Sequence, residues 1–557
     1  MFNYMTKLVH YYWLGCYTPL RRFGPEFALG PDGRQGILMQ VLRLKFTGSL
    51  LTALLLPGCS SAGVNQPEKL KYIKAVYSEP LTLDPAQMND GASLVVSNLI
   101  YDGLLSFTPN LEIKGAIAET WTTSADGTRL SFHLRADARF HDGTPITAED
   151  AVASLQRAVA PASKVYSYFD CVQGAEAYHS GKARVVAGIR KLGPHDIEIE
   201  LRRPFPPFLS VLAGAVAKIV PSGFAPGPVS SFVPNGSGPF RWVRREQGER
   251  ATNLILERFD AYYGPLPKIA QLTLRATDEA GALREAAEGK IHDLANYPLE
   301  GTEAVFGAGH LLKAPLYATW MIGLNLRRAP FDRLNVREAL VKTIDSEGFR
   351  KRFSPDSTPA FGYVPVGLPG ARDTTMDVPP TRQAVSREKI RIAIPEELAR
   401  SAEMKIFLEE NLRSKGWNAD VVLLKWAALM DAYSKKKLQA FLVSMNIDYP
   451  DTDFLLRNFE STNPDNFSGL KSEELDGILL AARESQDRLT RIKFYLSAVE
   501  KIQRAAVVAP LFHPRQHIWT HACVRGLEPN LLADSYIDYR VVDLDSKCLS
   551  QRGGHSS

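Results

Sequence analysis

The sequence predicts an α/β protein built from more than one lobe. Strand-like and helix-like segments alternate from Lys69 onward, with no internal repeat and no low-complexity linker, which is typical of sheets covered by helices. The chain has 557 residues, of which 45% are hydrophobic and 23% are charged. Such a chain is globular and long enough for roughly two or three lobes.

The clearest local pattern is a strand, a turn and a capped helix. Apolar and polar residues alternate over residues 130–134, which predicts a strand with one buried face. Asp142-Gly143 then favours a turn. Thr147 is expected to cap the helix that follows, with Asp150 reaching back to the first-turn amides and apolar residues recurring at helical spacing as far as Ala158.

Further elements are predicted downstream. Residues 316–325 read as a buried strand, and Asn335 is expected to cap the next helix. A strand at 390–394 precedes a helix near 402–415, which Gly416 is expected to end. Another strand at 421–424 and a helix over 428–437 complete this region.

The N-terminal part has the anatomy of a signal peptide. A basic flank precedes the apolar run 46–56, which as a helix would span only about 16 Å of a hydrocarbon core of roughly 30 Å. Leu56-Pro57-Gly58-Cys59 resembles a bacterial lipobox, so we expect Cys59 to be lipidated, with simple cleavage as the alternative. Met39 lies just before the basic flank and is the expected start, which makes 1–38 an over-extended N-terminus.

Charge and cysteine usage exclude several classes of protein. Lys and Arg total 66 against 61 acidic residues, an excess too dilute to indicate nucleic-acid binding. Five cysteines are present without a CxxC pair, which argues against a zinc ribbon or a thioredoxin-like motif. Cys523 and Cys548 could form a disulfide in an oxidising compartment, although sequence does not decide the geometry.

Several motifs together carry a family resemblance. With the strand-turn-helix pattern, they closely resemble the signature of the extracytoplasmic peptide-binding proteins of ABC importers, bacterial solute-binding family 5. The motifs are Tyr77-Ser78-Glu79-Pro80-Leu81-Thr82-Leu83-Asp84-Pro85, Leu99-Ile100-Tyr101-Asp102-Gly103-Leu104-Leu105 and Ala118-Glu119-Thr120-Trp121.

The resemblance implies a two-lobed periplasmic-binding-protein-like fold (type II, cluster C) with an extra domain. A discontinuous lobe I is expected, together with lobe II, which is the extra domain, and lobe III. The predicted boundaries are 39–58 for the signal peptide, 59–68 for a tether, 69–102 with 222–314 and 520–547 for lobe I, 103–221 for lobe II, 314–519 for lobe III and 548–557 for a tail.

The segment most informative about the ligand is the apolar strand that ends in Asp448, Asp451 and Asp453. As catalytic acids these carboxylates would need one raised pKa and a substrate bond between them. As calcium ligands they lack the donor loop and glycine of an EF-hand. The resemblance implies instead that Asp448 forms a salt bridge with the α-ammonium group of a peptide, because a charge enclosed in a closing cleft must be paired.

The resemblance also implies the other ligand contacts. Tyr317 and Trp320 are candidate walls of the cleft, with ordinary core aromatics as the alternative. The remaining predicted contacts are Asn89, Gly91, Asn446 and Tyr449.

The sequence gives less support to a metal site or an enzyme than to a binding protein. His513, His517 and His521 are spaced by four residues, but nearby prolines disfavour a helix, and four strand residues span about 13 Å against metal–ligand distances of about 2 Å. The chain carries no G-x-S-x-G, H-E-x-x-H, kinase, phosphate-loop or dinucleotide fingerprint. We therefore predict neither a cofactor nor a catalytic residue.

The sequence thus predicts a binding protein of an importer. It is expected to be exported to the periplasm or cell surface, anchored through lipid, monomeric, and to deliver oligopeptides or dipeptides to a membrane permease without contacting nucleic acid. A binder of another solute, such as a nickel chelate or a sugar, is the alternative within the family. A secreted peptide hydrolase is the alternative from another class.

Overall fold

Strands and helices alternate along the computed structural model, as the α/β prediction requires. The structure describes residues 70–88, 90–295, 310–374, 386–398 and 400–545. The predicted signal peptide and tether, with Cys59, lie outside the described residues, as do Asn89 and Cys548. No helix within the described ranges is long and apolar enough to cross a bilayer.

The strands have lengths typical of a globular protein. They are, in chain order, β1 (Lys71–Val76), β2 (Leu105–Phe107), β3 (Ile113–Gly115), β4 (Ala118–Thr123), β5 (Arg129–Leu134), β6 (Ile189–Lys191), β7 (Asp196–Glu200), β8 (Phe240–Gln247), β9 (Ala251–Arg258), β10 (Gln271–Thr277), β11 (Asp293–Ala295), β12 (His310–Pro315), β13 (Ala318–Leu324), β14 (Thr358–Pro359), β15 (Ile390–Pro395), β16 (Ala419–Leu424), β17 (Ala440–Asn446), β18 (Val508–His513), β19 (Arg515–Thr520), β20 (Val524–Arg525) and β21 (Asp543–Leu544).

The helices lie between these strands. They are α1 (Gly91–Ile100), α2 (Ala148–Val159), α3 (Ala175–His179), α4 (Phe208–Ala213), α5 (Glu279–Ala287), α6 (Leu334–Thr343), α7 (Ser346–Phe353), α8 (Ser401–Ser414), α9 (Trp426–Ser434), α10 (Asp453–Leu456), α11 (Glu473–Glu484) and α12 (Arg488–Arg504). Short 3₁₀ turns occupy Pro85–Gln87, Tyr166–Tyr168, Arg457–Phe459 and Asp534–Tyr536.

Three larger sheets organise the strands. One has the order β12-β19-β11-β1-β10-β9-β8, a second the order β14-β18-β13-β17-β15-β16, and a third the order β4-β5-β7-β6. In the first of these, β1 pairs in parallel with β10 and β11, while β19 arrives from the far end of the chain and pairs antiparallel with β11 and β12. The chain therefore leaves this sheet and returns to it.

Three hydrophobic clusters accompany these sheets. The first core joins buried residues from 72–101, 215–295 and 518–544. The second core joins residues from 104–219 and also takes in Tyr449. The third core joins residues from 320–512 and also takes in Leu532. The lobe boundaries given above stay a prediction.

The strand, turn and capped helix predicted from sequence are confirmed. Strand β5 buries every second side chain, as its alternation requires. The hydroxyl of Thr147 accepts a hydrogen bond from the Asp150 amide, and the Asp150 carboxylate accepts one from the Thr147 amide. This reciprocal cap satisfies amides that α2 would otherwise leave without partners, an effect worth about 1 kcal/mol.

Two helix boundaries differ from the prediction. Helix α6 starts at Leu334 behind Arg333, so Asn335 lies inside the helix and does not cap it. The Arg337 guanidinium donates to the carbonyl of Phe331 at 2.9 Å, so a side chain from within the helix secures its N-terminal end. Helix α9 ends at Ser434, ahead of the lysine run, whereas Gly416 follows α8 with a φ of 88°, as expected of a helix-ending glycine.

The cysteine expectations are tested only in part. Cys523 is disulfide-bonded, and its predicted partner, Cys548, lies outside the described residues. Cys171 carries a thiol, and burial raises its pKa.

Candidate functional site

A small cavity lies where the three cores meet. Leu94 of the first core, Val211 of the second and Ile447 of the third all line it. The rest of the wall comes from the start of α1, from Tyr168, and from segments 214–216, 316–317, 446–449 and 531–536. The cavity measures about 30 Å³, enough for about two water molecules and far too small for a dipeptide. A peptide could enter only if the walls separate.

Two carboxylates line this cavity, and Asp534 is the one that lies near a cation, 3.7 Å from Lys74 Nζ. The other is Asp448, which follows the end of β17. Its side chain accepts a hydrogen bond from the Tyr168 hydroxyl, which comes from the second core. Within the described part of the chain, no basic side chain forms an ion pair with Asp448, and Tyr168 provides its side-chain hydrogen bond. The carboxylate is thus half-buried at the junction of the cores, without a protein cation paired with it.

The electrostatics of Asp448 follow from this arrangement. Burial raises the pKa of the carboxyl group to about 7, although the Tyr168 hydrogen bond acts in the opposite direction. Removing a carboxylate from water disfavours its charged form, whereas hydrogen bonds and a nearby positive charge favour it. The Asp448 carboxyl group is therefore partly protonated near neutral pH, and a cation placed beside it would favour its charged form.

Tyr536 holds the loop that carries Asp448 through hydrogen bonds of its hydroxyl group. Its hydroxyl donates to the backbone carbonyl of Asp448 at 3.3 Å and accepts from the amide of Ala215 at 3.1 Å. Tyr536 lies in a 3₁₀ turn near the C-terminal end of the described chain. It therefore links Ala215, a member of the first core, to the loop that carries the carboxylate.

Tyr449 and Asn446 flank Asp448 at the cavity. Tyr449 follows β17 of the second sheet and inserts into the second core, where its ring meets Phe454 edge to face at 5.3 Å. Asn446 ends β17 and pairs in register with Ala318, and its side-chain oxygen accepts from the Ser444 hydroxyl at 3.2 Å. Both side chains line the cavity, and their roles toward a ligand stay a prediction.

Tyr317 is half-buried at the cavity, just before β13. Its carbonyl accepts from the amide of Ile447 at 3.1 Å, and its amide donates to the carbonyl of Leu531 at 2.9 Å. Gly367 has a φ of 102°, and a Cβ atom there would lie 2.9 Å from the Tyr317 hydroxyl. Glycine thus permits both the local backbone conformation and the position of the tyrosine ring.

Gly91 also lines the cavity, as the first residue of α1. The preceding Asp90 caps the helix by accepting from the Ser93 amide at 3.1 Å and from the Ser93 hydroxyl at 2.7 Å. Asn89, predicted as a neighbouring ligand contact, lies outside the described residues.

Trp320 lies away from the cavity. Its side chain is 1% exposed and stacks on Phe512 within the third core, with ring centroids 5.8 Å apart. All seven residues of β13 are buried, because β17 and β18 flank the strand and both faces are covered. The structure thus places Trp320 among core aromatics, the alternative that the sequence had left open.

The other two carboxylates of the segment have partners inside the protein. Asp451 accepts from the Tyr495 hydroxyl at 2.7 Å, and Asp453 pairs with Arg483 at 2.6 Å. Neither lines the cavity around Asp448. Of the three acids at the end of β17, the geometry singles out Asp448.

The three spaced histidines go to separate partners. His513 ends β18 and contacts Thr319, His517 lies on β19 and pairs with Asp356, and His521 follows that strand and contacts Cys523. Among the described residues, no group of three or more His, Cys, Asp or Glu side chains is arranged to hold a metal ion.

Sequence reasoning did not identify Tyr168 or Tyr536. Tyr168 lies 280 residues from Asp448 along the chain, and Tyr536 lies 88 residues away. Both sit in 3₁₀ turns of three residues, which are too short to show hydrophobic periodicity. No local signal marks either tyrosine.

Comparison with known proteins gives a consistent family assignment. The model of the bacterial extracellular solute-binding proteins, family 5 Middle, matches residues 112–467. The periplasmic oligopeptide-binding protein OppA of Escherichia coli K12 is 24% identical over 492 residues, 81% of this chain and 88% of that protein. The glutathione-binding protein GsiB of the same strain is 29% identical over 310 residues, 53% of this chain and only 56% of GsiB.

Solved structures share the fold. Haemophilus influenzae OppA in complex with the peptide RPPGFSPFR superposes with a TM-score of 0.71 at 19% identity, covering 86% of this chain and 99% of that one. The periplasmic murein tripeptide-binding protein MppA, in its unliganded open form, gives 0.70 at 20% identity over 86% and 98%. The two-lobed fold of the periplasmic binding proteins is therefore confirmed, and this chain belongs to family 5 of the bacterial extracellular solute-binding proteins.

Proposed function

We propose that this protein is the extracytoplasmic substrate-binding component of an ABC importer and that it captures short peptides in the cavity around Asp448. The observation that carries the proposal is a half-buried carboxylate at the junction of three cores, without a basic partner among the described residues. The α-ammonium group of a peptide would supply the missing cation. Such a pair would be strong because both charges would be shielded from water.

The contacts around Asp448 support capture by closure. Tyr168 donates to the Asp448 carboxylate, and Tyr449 packs into the second core. Arg457, on the 3₁₀ turn after α10, donates to the carbonyl of Ser167 at 3.4 Å. These contacts join the second and third cores across the cavity. They would have to separate to admit a peptide and could re-form around it.

The proposed location and partners of the protein rest on its family. Relatives named as periplasmic oligopeptide-binding and glutathione-binding proteins support an exported receptor. A membrane permease as the recipient, Cys59 as a lipid anchor and a monomeric state remain parts of the proposal.

The decisive experiment compares peptides with and without a charged amino terminus. Unfolding temperature and calorimetric binding would be measured for dipeptides, tripeptides and glutathione, each paired with its N-acetylated form. A peptide that binds the native state raises the unfolding temperature. We expect a response to the unmodified peptides that is lost on acetylation.

Other outcomes would overturn the proposal in recognisable ways. Equal binding of the acetylated forms would remove Asp448 as the ammonium anchor. Binding of sugars or nickel chelates with no response to any peptide would identify another solute. Cleaved peptide in the recovered samples, detected by mass spectrometry, would indicate a hydrolase.

A further inference from the structure

A second cavity lies behind the wall of the first. It measures about 130 Å³ and shares Ser535 and Tyr536 with the cavity around Asp448. Its wall combines the end of α1, the segment after β2, residues near 213–218 and the C-terminal segment 528–541. The first and second cores meet here, and Glu528 and Val541 at the rim are exposed to solvent.

Lys218 lines this second cavity and is only 7% exposed. Within the described ranges, its ammonium group forms neither an ion pair nor a hydrogen bond with a protein side chain, and Asp102 acts on it only as a more distant charge. A buried ammonium group without a bonded acceptor is costly. The cavity therefore contains a positive charge that the protein leaves without direct compensation.

Two of the three acidic groups that line this cavity have partners in the protein, and the third, Glu528, is exposed to solvent. The Asp102 carboxylate accepts from the Tyr263 hydroxyl at 2.6 Å and also interacts with the Tyr262 hydroxyl. Asp538 is held by two guanidinium nitrogens of Arg540, each at 2.7 Å. Lys218 is thus the buried charge that this cavity leaves unmatched.

We propose that this second cavity is a binding site for a small anion, a carboxylate or a halide, whose charge is balanced by Lys218. A volume of about 130 Å³ accommodates such an ion together with water. The bound anion would stabilise the junction of the first and second cores. The site is separate from the peptide site and does not depend on the function proposed above.

The protonation of Lys218 gives the site a pH dependence. Burial lowers the pKa of Lys218 to about 8, against the opposing charge of Asp102. The other charged or titratable groups that face the cavity are Asp102, Tyr262, Glu528, Tyr536, Asp538, Tyr539 and Arg540, and burial raises the pKa of each of the three tyrosines. Lys218 also lines a smaller cavity together with Asp84 and Arg157. Anion binding should therefore weaken as the pH rises past 8, when Lys218 loses its charge.

The test uses sodium acetate and sodium bromide at constant ionic strength. In the wild-type protein at pH 7, the unfolding temperature should rise with either anion and reach a plateau. In Lys218→Met, which keeps the length of the side chain and removes its charge, the plateau should disappear. In the wild type, the same loss should appear well above pH 8.

Crystallography provides a measurement that does not depend on the variant. A wild-type crystal soaked in bromide should show an anomalous peak in the second cavity within hydrogen-bonding reach of Lys218 Nζ. A response of equal size in wild type and Lys218→Met would overturn the proposal. So would the absence of both a plateau and an anomalous peak. Either result would overturn the anion site alone, because neither result tests peptide binding at Asp448.

Discussion

Two neighbouring acidic sites of this protein differ in whether they contain an internal cation. In the first core, Lys74 Nζ lies 3.0 Å from an Asp293 oxygen and 3.7 Å from an Asp534 oxygen, and both Lys74 and Asp293 are 0% exposed. Tyr539 completes the shell by donating to Asp293 at 3.1 Å. At the central cavity, Asp448 has Tyr168 but no basic partner among the described residues.

The difference separates a structural ion pair from the carboxyl group that we propose binds the ligand. Burial alone would lower the pKa of Lys74, but the charges of Asp293 and Asp534 outweigh it and raise that pKa. At Asp448, nothing outweighs burial, and the pKa of the acid rises to about 7. The charges of the first site are paired within the protein, whereas the Asp448 carboxyl group takes up a proton more readily and, as we propose, pairs with a cationic ligand.

Removal of the internal cation should have the largest effect. Lys74→Met leaves Asp293 buried without its positive partner, and breaking such a pair costs about 3 to 5 kcal/mol of unfolding free energy. Denaturant unfolding at pH 7 measures this loss. A loss of unfolding free energy below about 1 kcal/mol would show that the pair is not required for stability. It would then not differ in this way from the Asp448 site.

Removal of the negative charge at Asp448 should weaken peptide binding. Asp448→Asn removes the charge that we propose for the peptide ammonium, and we expect a loss of about 2 to 5 kcal/mol in binding free energy. Calorimetry with the tightest peptide measures it. Asp451→Asn is the matched control, because the Asp451 carboxylate is occupied by Tyr495 and lies outside the cavity. Equal losses in the two variants would contradict a specific role for Asp448.

The hydroxyl of Tyr168 should matter less. Its hydrogen bond favours the charged form of Asp448, so Tyr168→Phe should weaken peptide binding by about 1 kcal/mol, the usual value of one such bond. Tyr166→Phe in the same 3₁₀ turn is the control, since Tyr166 stacks on His179 with ring centroids 3.7 Å apart. Unchanged peptide affinity in Tyr168→Phe would mean that the hydrogen bond between Tyr168 and Asp448 exists in the unliganded protein but does not contribute to peptide binding.

Local chemistry explains which parts of the structure the sequence could predict. The alternation in β5 and the reciprocal cap of α2 depend on neighbouring residues, and both are confirmed. Asp448, Tyr317 and Gly91 were named through the family resemblance, and they do meet at one cavity. The resemblance carried this information, since no periodicity in the sequence brings these three segments together.

The remainder depends on distant segments. Trp320 was a candidate wall of the cleft, but both faces of β13 are covered, a property of the completed sheet. Tyr168 and Lys218 gain their significance only when separate parts of the chain enclose a cavity. Burial and pairing of charges are properties of the folded chain, so composition and spacing could not reveal which charge stays unmatched.

The central claim is that Asp448 exchanges a proton for the ammonium group of a peptide. With a pKa of about 7, the acid is mostly protonated at pH 6 in the unliganded protein, whereas the peptide α-amino group, with a pKa near 8, is already charged. Binding should therefore expel the proton, and below pH 7 affinity should fall by about tenfold per pH unit.

Calorimetry at pH 6, in two buffers of different ionisation enthalpy, measures this proton directly. The account predicts release of about one proton per bound peptide in the wild type and nearly none in Asp448→Asn. Tight binding by the wild type without proton release would contradict it, and so would equal release by both proteins.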